Sequence, residues 1–352
     1  MIAGRQKMYK TWTTFYTWAF LLIISSVALN SSTSAQTPEI FYRNNKVSLI
    51  VGLSAGGGYD LNARLLAKYM GRHILGNPTI VVQNMPGAGS LTAANFMYSV
   101  APKDGTSVAT IGRIALLEPL FSKQNFDGSK FYFLGSTSKD ISTCVAWKTS
   151  PIKTWNDLLT KPFVASGQAA GSDADAFANM IRNLFGAPIK LVTGYPGTNE
   201  QGLSMERCET DGFCGISYSS LKTRYSRWLS DGNINILIQN AIEKHSDLTN
   251  VPLITDMTAA VDKLQIIRLI VATQSMARPF FLPPGVPSER AETMRRAFEE
   301  TMRDVDFLDE ARKLDIDVSP LDGPTMQTLM TELYSMPKGI IEGAAAAMAS
   351  PK

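Results

Sequence analysis

Residues that bind metals or form disulfides are scarce in this sequence. It contains three cysteines and two histidines in 352 residues. His73 and His245 are far apart, and neither has a cysteine or a second histidine at the spacing of metal ligands. We therefore expect surface histidines and no metal or other cofactor. Cys144, Cys208 and Cys214 suit an oxidising compartment, where one disulfide forms and one thiol stays free.

A surplus of basic residues is missing from most of the chain. The formal charge is +3, but residues 1–35 hold three of the 34 lysines and arginines and none of the 31 acidic residues. The rest of the chain therefore carries 31 charges of each sign. It has no basic stripe that would follow a phosphate backbone, so we expect no nucleic-acid partner.

The first 35 residues have the layout of a secretory signal peptide. Basic residues between Arg5 and Lys10 precede an apolar run at 18–29, and small residues lead to Ala35. The run is shorter than the roughly 20 residues that a membrane-spanning helix needs. The pattern predicts export to the periplasm with cleavage near Ala35, and an uncleaved membrane anchor is the alternative.

No further long apolar run follows, so we expect a soluble mature protein. The mature chain would have 317 of the 352 residues, which is more than a single hydrophobic core usually contains. This length predicts two domains. Short apolar runs alternate with helical patterns, and from 288 onward the pattern is almost entirely helical. This alternation predicts an α/β fold with parallel sheets and right-handed crossovers. The predicted strands are 47–51, 79–83, 107–111, 131–136, 143–147, 163–166, 189–193, 212–216, 234–239 and 266–273.

Four glycine-containing loops stand where a predicted strand hands over to a predicted helix, at 54–60, 84–90, 166–172 and 194–200. Glycine lets the backbone turn sharply and approach a ligand closely. The following helix exposes unpaired N–H groups and the positive end of its dipole there. Because ligands bind at the carboxyl ends of strands in open α/β sheets, the four loops together favour an anion site over ordinary turns.

These loops supply the candidate ligand-binding residues. Each helix N-terminus carries about half a positive charge, so four would oppose a dicarboxylate. Arg113, after the third strand, is expected to pair with a carboxylate, and a surface position is the alternative. The loop candidates are Gly57, Gly58, Gly87 and Ala88 at one end of the ligand, and Ser166, Gly167, Thr198 and Asn199 at the other.

Three segments of the chain resemble the substrate-binding proteins of tripartite tricarboxylate transporters. That family carries an Ala-Gly-Gly-Gly-x-Asp loop, an Asn-x-Pro-Gly-Ala-Gly loop and an Ala-Pro-x-Asp-Gly run. The counterparts here are 55–60, 84–89 and 101–105. Residues 282–287 are similar to the family's Pro-x-Gly-x-Pro segment. The resemblance follows the family's order over nearly the whole mature chain.

The resemblance implies a type II-like periplasmic-binding-protein fold with two lobes, each a mainly parallel sheet flanked by helices, that close by a hinge on a carboxylate. We expect residues 36–140 and 270–352 in the first lobe and 141–269 in the second. The implied partners are a small organic acid and the large and small integral-membrane transporter subunits. The receptor itself would be a monomer without enzymatic activity.

Two residues depart from the family's pattern. Ser54 stands where the family often has proline, and Tyr59 replaces a frequent small hydroxyl residue. Tyr59 is therefore expected to bring an aromatic wall or an extra hydroxyl to the pocket.

A secreted serine esterase is the alternative function. The run Gly52-Leu53-Ser54-Ala55-Gly56 matches the G-x-S-x-G nucleophile motif, and His245 would serve as the base. However, Ser54 follows the first strand of the mature chain, so no earlier strand supports a nucleophile turn. His245 also lies in a polar stretch. These points favour the binding protein.

The cysteine pairing has more than one candidate. Cys144 and Cys214 lie in predicted strands of the second lobe, which favours that pair. Cys208 with Cys214 is the competing pair, at the end of a helix and in the following strand. Buried free thiols are the third possibility.

Overall fold

The computed structural model describes residues 36–350, so the predicted signal peptide and its cleavage near Ala35 lie outside the described residues. None of the helices in this range combines the length and the apolar character needed to cross a bilayer. Strands in this range form two sheets. The strands are β1 Val47–Val51, β2 Ile80–Asn84, β3 Ser107–Thr110, β4 Tyr132–Ser136, β5 Ser142–Trp147, β6 Phe163–Ser166, β7 Ile189–Val192, β8 Gly212–Ser217, β9 Ile234–Asn240, β10 Pro279–Leu282 and β11 Leu321–Asp322.

Helices cover the faces of both sheets and connect most of the strands. Several short 3₁₀ turns, such as Arg113–Leu117, stand between them. The α-helices are α1 Pro38–Arg43, α2 Gly58–Met70, α3 Leu91–Ser99, α4 Glu118–Phe121, α5 Trp155–Thr160, α6 Asp173–Phe185, α7 Thr198–Glu206, α8 Tyr218–Thr223, α9 Ser226–Ser230, α10 Val261–Val271, α11 Ser288–Thr301, α12 Val305–Lys313, α13 Gly323–Tyr334 and α14 Lys338–Met348.

The first sheet has six strands in the order β11-β4-β10-β3-β1-β2. β1 pairs in parallel with β2 and β3, and β10 runs antiparallel to both β3 and β4. β1 to β4 therefore share one direction. Buried side chains of β1, such as Leu49, pack in one apolar cluster with Leu65 and Leu66 of α2 and with Phe298 of α11. This packing fixes the start of α2 at the carboxyl end of β1.

The second sheet has five strands in the order β7-β6-β8-β5-β9. β6 is parallel to β7 and β8, and β5 is antiparallel to β8 and β9. The predicted fold class is confirmed, since two mainly parallel sheets are flanked by helices. The antiparallel β5 and β10 follow the two places where the chain changes sheets.

One predicted strand is wrong. Residues 266–273 fall largely in helix α10, which buries Ile267, Leu269, Ile270 and Val271. A short run of branched apolar residues suits a buried strand or a buried helix equally well, because its periodicity does not distinguish them. The strand that returns the chain to the first sheet is β10, which is not among the predicted strands.

The two connections between the sheets run side by side. The first leads from β4 to β5, and the second leads from β9 through α10 to β10. The amide of Ala277 donates to the carbonyl of Ser138 at 3.1 Å, and the amide of Asp140 donates to Gln274 at 3.2 Å. Two adjacent connecting segments of this kind can serve as a hinge between lobes.

The last helix packs on the second sheet's layer. Asn183 of α6 donates to the carbonyl of Ala349 just after α14 at 2.8 Å, and Asn179 donates to Met348 at 2.9 Å. The predicted lobe ranges place residues 270–352 wholly in the first lobe. The packing of α14 gives a reason to amend that prediction at its C-terminal end.

The favoured cysteine pairing is confirmed. Cys144 of β5 and Cys214 of β8 are register partners in the second sheet and form a buried disulfide. Cys208 is free and exposed. The disulfide therefore joins β5, the strand that follows the first connection, to its neighbour β8 inside the core of the second sheet.

Candidate ligand cleft

A cavity of about 40 Å³ lies where loops from both sheets meet, and we refer to it as the cleft. The first turns of four helices contribute to its wall. On the side of the first sheet these are the starts of α2 and α3, and on the side of the second sheet those of α6 and α7. The residues at these four points are Gly58, Tyr59, Ser90, Ser172, Asp173, Ala174 and Thr198.

The helix starts give the cleft a positive field. Neither α2 nor α7 has a side-chain cap on its first N–H groups. The first unpaired N–H groups of a helix and the positive end of its dipole favour a bound anion. The uncapped starts of α2, α3 and α7 each contribute about half a positive charge. The start of α6 differs, because Ser172 caps it and its first turn carries Asp173 and Asp175. The predicted convergence of strand–helix loops on one place is therefore present in the structure for all four loops.

Arg113 lies inside the molecule, with 1% of its surface exposed. Its Nε and Nη2 atoms each lie 2.8 Å from Oδ2 of Asp173, and Nη2 also donates to Ser142 Oγ at 2.7 Å. Burial lowers the pKa of the guanidinium, but Asp173, through its charge and its hydrogen bond, acts together with other nearby groups such as Asp140 to raise the net pKa, so the charge is retained. Nη1 has no hydrogen-bond acceptor among residues 36–350. The predicted surface alternative for Arg113 is wrong.

A second arginine, Arg278, lines the cleft, although no motif in the sequence marks it as a site residue. It is also 1% exposed and donates from Nη1 to Ser217 Oγ at 3.2 Å. Arg113 donates to the same hydroxyl oxygen at 3.3 Å, so Ser217 connects the two guanidinium groups. Asp140 Oδ2 lies 3.6 Å from Nη2 of Arg278, and Nε lacks an acceptor within the described range.

Tyr59 is one of the residues that line the cleft. Its hydroxyl oxygen accepts the backbone N–H of Arg113 at 3.3 Å. The Cζ atom of Arg278 lies 4.6 Å from the centre of its ring, which is within the range of a cation–π contact. Burial raises the pKa of the phenol, so Tyr59 is neutral and can donate its proton.

The polar residues of the two N-terminal glycine motifs hold the loops together. Asp60 accepts the backbone N–H of Gly56 at 2.8 Å and the side-chain amide of Asn84 at 2.9 Å. Arg64 donates to the same carboxylate at 2.9 Å. Burial acts to raise the pKa of Asp60, but these hydrogen bonds outweigh it and hold the pKa below its ordinary value. Asp60 is therefore a charged brace between the loops.

The predicted site residues divide into two groups. Gly58, Tyr59 and Thr198 line the cleft, and Arg113 contacts Asp173 in its wall. Six others lie outside this wall, namely Gly57, Gly87, Ala88, Ser166, Gly167 and Asn199. Ser166 is fully buried in β6, and Asn199 bridges the two sides of the cleft by donating to the carbonyl of Ala55 at 3.0 Å.

The contacts of Ser54 do not support the esterase alternative. Its hydroxyl donates to Oε2 of Glu200 at 3.3 Å. His245 accepts the backbone N–H of Asp247 at Nδ1 and packs against Tyr218. Across residues 36–350, Ser54 has no hydrogen bond to an imidazole, so a base for the nucleophile is not in place. The same range contains no cluster of side chains suited to a metal ion.

Comparison with known proteins confirms the fold. No family model matches the chain. A Cupriavidus necator protein named "UPF0065 protein in gbd 5'region" is 22% identical over 323 residues, 88% of this chain and 90% of that protein. The periplasmic binding protein BugD is similar in structure, with a TM-score of 0.66 and 17% identity over 82% of this chain and 93% of BugD.

Two further solved structures are similar over almost their full length. MatC from Rhodopseudomonas palustris, with bound malate, has a TM-score of 0.67 and 19% identity, and covers 85% of this chain and 98% of MatC. A TctC solute binding protein from Polaromonas has a TM-score of 0.58 and 18% identity over 86% of this chain and 99% of that protein. The two-lobed periplasmic-binding-protein fold implied by the sequence resemblance is therefore the fold of this chain.

Proposed function

We propose that this protein is a periplasmic receptor that binds a small organic dicarboxylate in the cleft between its two sheets. It would deliver that acid to the large and small membrane subunits of a tripartite tricarboxylate-type transporter and catalyse no reaction. The observation that carries the proposal is the pair of buried guanidinium groups, each with one nitrogen lacking an acceptor within residues 36–350, beside four helix starts. The bound malate of MatC supports the same ligand class.

Burial makes these two arginines suited to a carboxylate. A buried donor without an acceptor costs about 1–3 kcal/mol, and more when the donor is charged. A carboxylate would supply acceptors for both, and hydrogen bonds between arginine and carboxylate are among the strongest in proteins. Tyr59 would add a neutral hydroxyl donor. The six predicted site residues that lie outside the cleft wall remain proposed ligand contacts for a form of the protein with the ligand bound.

Entry of a dicarboxylate requires the lobes to separate. A cavity of about 40 Å³ has room for roughly three water molecules, whereas a four-carbon dicarboxylate has at least eight non-hydrogen atoms. The two adjacent connections between the sheets supply the hinge. We propose lobes of residues 36–140 with about 270–336, and of 141–269 with α14, acting as a monomer after removal of residues 1–35.

The first test is a thermal-shift screen of the mature protein against organic acids. A ligand at 100 times its dissociation constant stabilises a protein by about 2.7 kcal/mol, so a bound dicarboxylate should raise the melting temperature by several degrees. Monocarboxylates and sugars serve as comparison compounds. If dicarboxylates have no more effect than these compounds, the proposed ligand class is wrong.

The second test measures the arginines directly by calorimetry. Arg113→Lys and Arg278→Lys keep the positive charge but lose the planar, two-pronged donor. Each should weaken binding of the acid found in the screen by more than tenfold. Arg227→Lys, an exposed arginine on α9, is the matched control and should bind normally. Unchanged affinity in both cleft variants would place the ligand elsewhere.

Replacement of Arg113 by alanine would combine a loss of binding with a loss of stability. Arg113 is paired with Asp173 in the interior, and removing one partner of a buried pair leaves the other charge without compensation. Such a loss typically costs about 3–5 kcal/mol, so Arg113→Ala should also lower the melting temperature. Lysine is therefore the better substitution for a binding test.

A further inference from the structure

Asp173 places a carboxylate in the wall of a cleft that otherwise suits anions. It is the first residue of α6 and part of the cleft wall. Its Oδ2 atom accepts from Arg113 at 2.8 Å and from Ser142 Oγ at 3.1 Å. Its Oδ1 atom is buried and receives no hydrogen bond from any residue in 36–350. One oxygen is thus held in place and the other is free to accept.

Neighbouring groups hold the carboxylate of Asp173 in place. The guanidinium of Arg113 and the start of α6 both stabilise a negative charge there. Arg113 is itself fixed by Ser142 and Ser217. The carboxylate therefore has one defined orientation, and a buried acceptor without a donor is costly unless a ligand supplies one.

The unsatisfied groups of the cleft define a complementary ligand. In the wall, Nε of Arg278 lacks an acceptor and Oδ1 of Asp173 lacks a donor, and behind the wall Nη1 of Arg113, which is paired with Asp173, also lacks an acceptor. A plain dicarboxylate supplies only acceptors and would bring a second negative charge toward Asp173. A carboxylate that also carries a hydroxyl or an ammonium group supplies both kinds of partner.

We propose that the cleft selects organic acids that carry a hydrogen-bond donor, a hydroxyl or an ammonium group, and that Asp173 Oδ1 accepts from that donor. This inference rests on the proposed function and narrows its ligand class. Sites built to hydrogen-bond a polar group discriminate strongly against analogues that lack it, because their own buried polar atoms stay unpaired. Asp173 is therefore a specificity residue.

The experiment compares acids of equal carbon skeleton by calorimetry on the mature protein. One series is succinate, malate and aspartate, and the other is glutarate, 2-hydroxyglutarate and glutamate. In the series that fits the cleft, the hydroxy acid or the amino acid should bind at least tenfold more tightly than the unsubstituted acid. The tighter of the two identifies the donor as hydroxyl or ammonium.

Substitution of Asp173 tests whether this residue causes the preference. Asp173→Asn keeps the shape, and with its amide oxygen held by Arg113 it turns the NH₂ group toward the cleft. The preference for the substituted acid should then fall by at least tenfold, and the plain acid should bind as well as before or better. Asp173→Ala should also remove the preference. Asp231→Asn, at an exposed aspartate, is the control and should keep it.

Each outcome bears on one of the two proposals. Because the readout is a ratio of affinities within one variant, partial unfolding of that variant does not alter it. If the plain acids bind the unmodified protein as tightly as the substituted ones, or Asp173→Asn keeps the preference, the inference about Asp173 is overturned while the receptor function stands. If no organic acid binds at all, the proposed function fails and the inference fails with it.

Discussion

At the scale of single residues, the glycine motifs contain two kinds of residue. Some line the cleft, and others form hydrogen bonds that hold the loops of the cleft in place. In the loop after β1, Gly58 and Tyr59 line the cleft, while the next residue, Asp60, braces the loop to Asn84. Ser90 acts in the same way, since its hydroxyl donates to the carbonyl of Gly52 and accepts the N–H of Gly112, both at 3.0 Å. The motifs therefore encode loop shape as much as ligand contact.

Gly58 is the residue at which a side chain should harm binding most directly. A Cβ atom there would lie 2.5 Å from Ser220 Oγ and 3.1 Å from Nη2 of Arg278. Gly58→Val should therefore displace Arg278 and lower the affinity for the acid by at least a hundredfold, measured by calorimetry. The cause is this collision across the cleft, because Gly58 begins α2 with ordinary helical backbone.

Gly339 provides the control for this prediction. It also lies in the first turn of a helix, α14, and a Cβ atom there meets no other atom within 4 Å. Gly339→Val should bind the acid normally. Normal binding by Gly58→Val as well would mean that the start of α2 does not approach the ligand.

At the scale of elements, the helices of the first lobe are joined by charged contacts at their ends. Asp304 caps α12 by accepting the backbone N–H groups of Asp306 at 2.9 Å and Phe307 at 3.3 Å. It also accepts from Arg72 Nε at 2.7 Å and contacts Nε2 of His73 at 2.6 Å, just after α2. One carboxylate thus fixes the start of one helix against the end of another.

This contact predicts a pH-dependent stability. The hydrogen bond from Arg72 is the main reason that the pKa of Asp304 lies well below its usual range. A lowered pKa in the folded state stabilises the protein above the unfolded-state pKa of about 4, and that stability is lost as the pH falls toward the folded-state value. Asp304→Asn keeps the cap but loses the charge.

Urea denaturation measures the effect. Because Arg72 is half exposed, the loss in Asp304→Asn should be about 1–2 kcal/mol at pH 7. It should shrink below pH 4, where the carboxylate of the unfolded chain takes up a proton while the native carboxylate is still charged. Asp309→Asn, which loses a half-exposed pair with Arg312, should change stability by less than about 0.5 kcal/mol. Equal losses at pH 7 and pH 3 would contradict the proposed role of the charge.

At the scale of the whole molecule, contacts across the mouth of the cleft hold the two sides together. The side-chain amide of Asn199 donates to Ala55 across the cleft, and the hydroxyl of Tyr225 donates to Asn199 Oδ1 at 2.9 Å and orients it. Gly89, with a φ of 62°, lies so close to the opposite loop that a Cβ atom would be 2.4 Å from the carbonyl oxygen of Ala170. These contacts favour the closed arrangement.

Removal of the Asn199 contact should shift the molecule toward an open form. Asn199→Ala should increase the radius of gyration of the ligand-free protein in small-angle scattering. It should also raise the dissociation rate of the bound acid several-fold and leave the association rate nearly unchanged, because the contact forms on closure. Asn156→Ala, at an exposed position on α5, is the control. An unchanged radius and dissociation rate would show that Asn199 does not hold the cleft closed.

Local sequence patterns were sufficient to predict most of the strands and the helix starts around the cleft. Alternation and turn residues act over a few positions, so they predicted β1 and β6 at their observed bounds and the other strands, up to β9, within a residue. The glycine loops marked four helix starts for the same reason. The places of Cys144 and Cys214 in two predicted strands favoured their pairing, which the structure confirms.

The tertiary structure alone decided which charged groups meet in the cleft. Arg113 reaches Ser217, 104 positions away in the chain, and Arg278 reaches Ser220, 58 positions away. No local pattern encodes such a pair, because burial of Arg278 and Asp173 depends on how the two sheets come together. The helical state of α10 and the packing of α14 on α6 have the same cause. A buried apolar run can form a strand or a helix, and an apolar helix can pack on more than one surface, until the tertiary structure provides its partner.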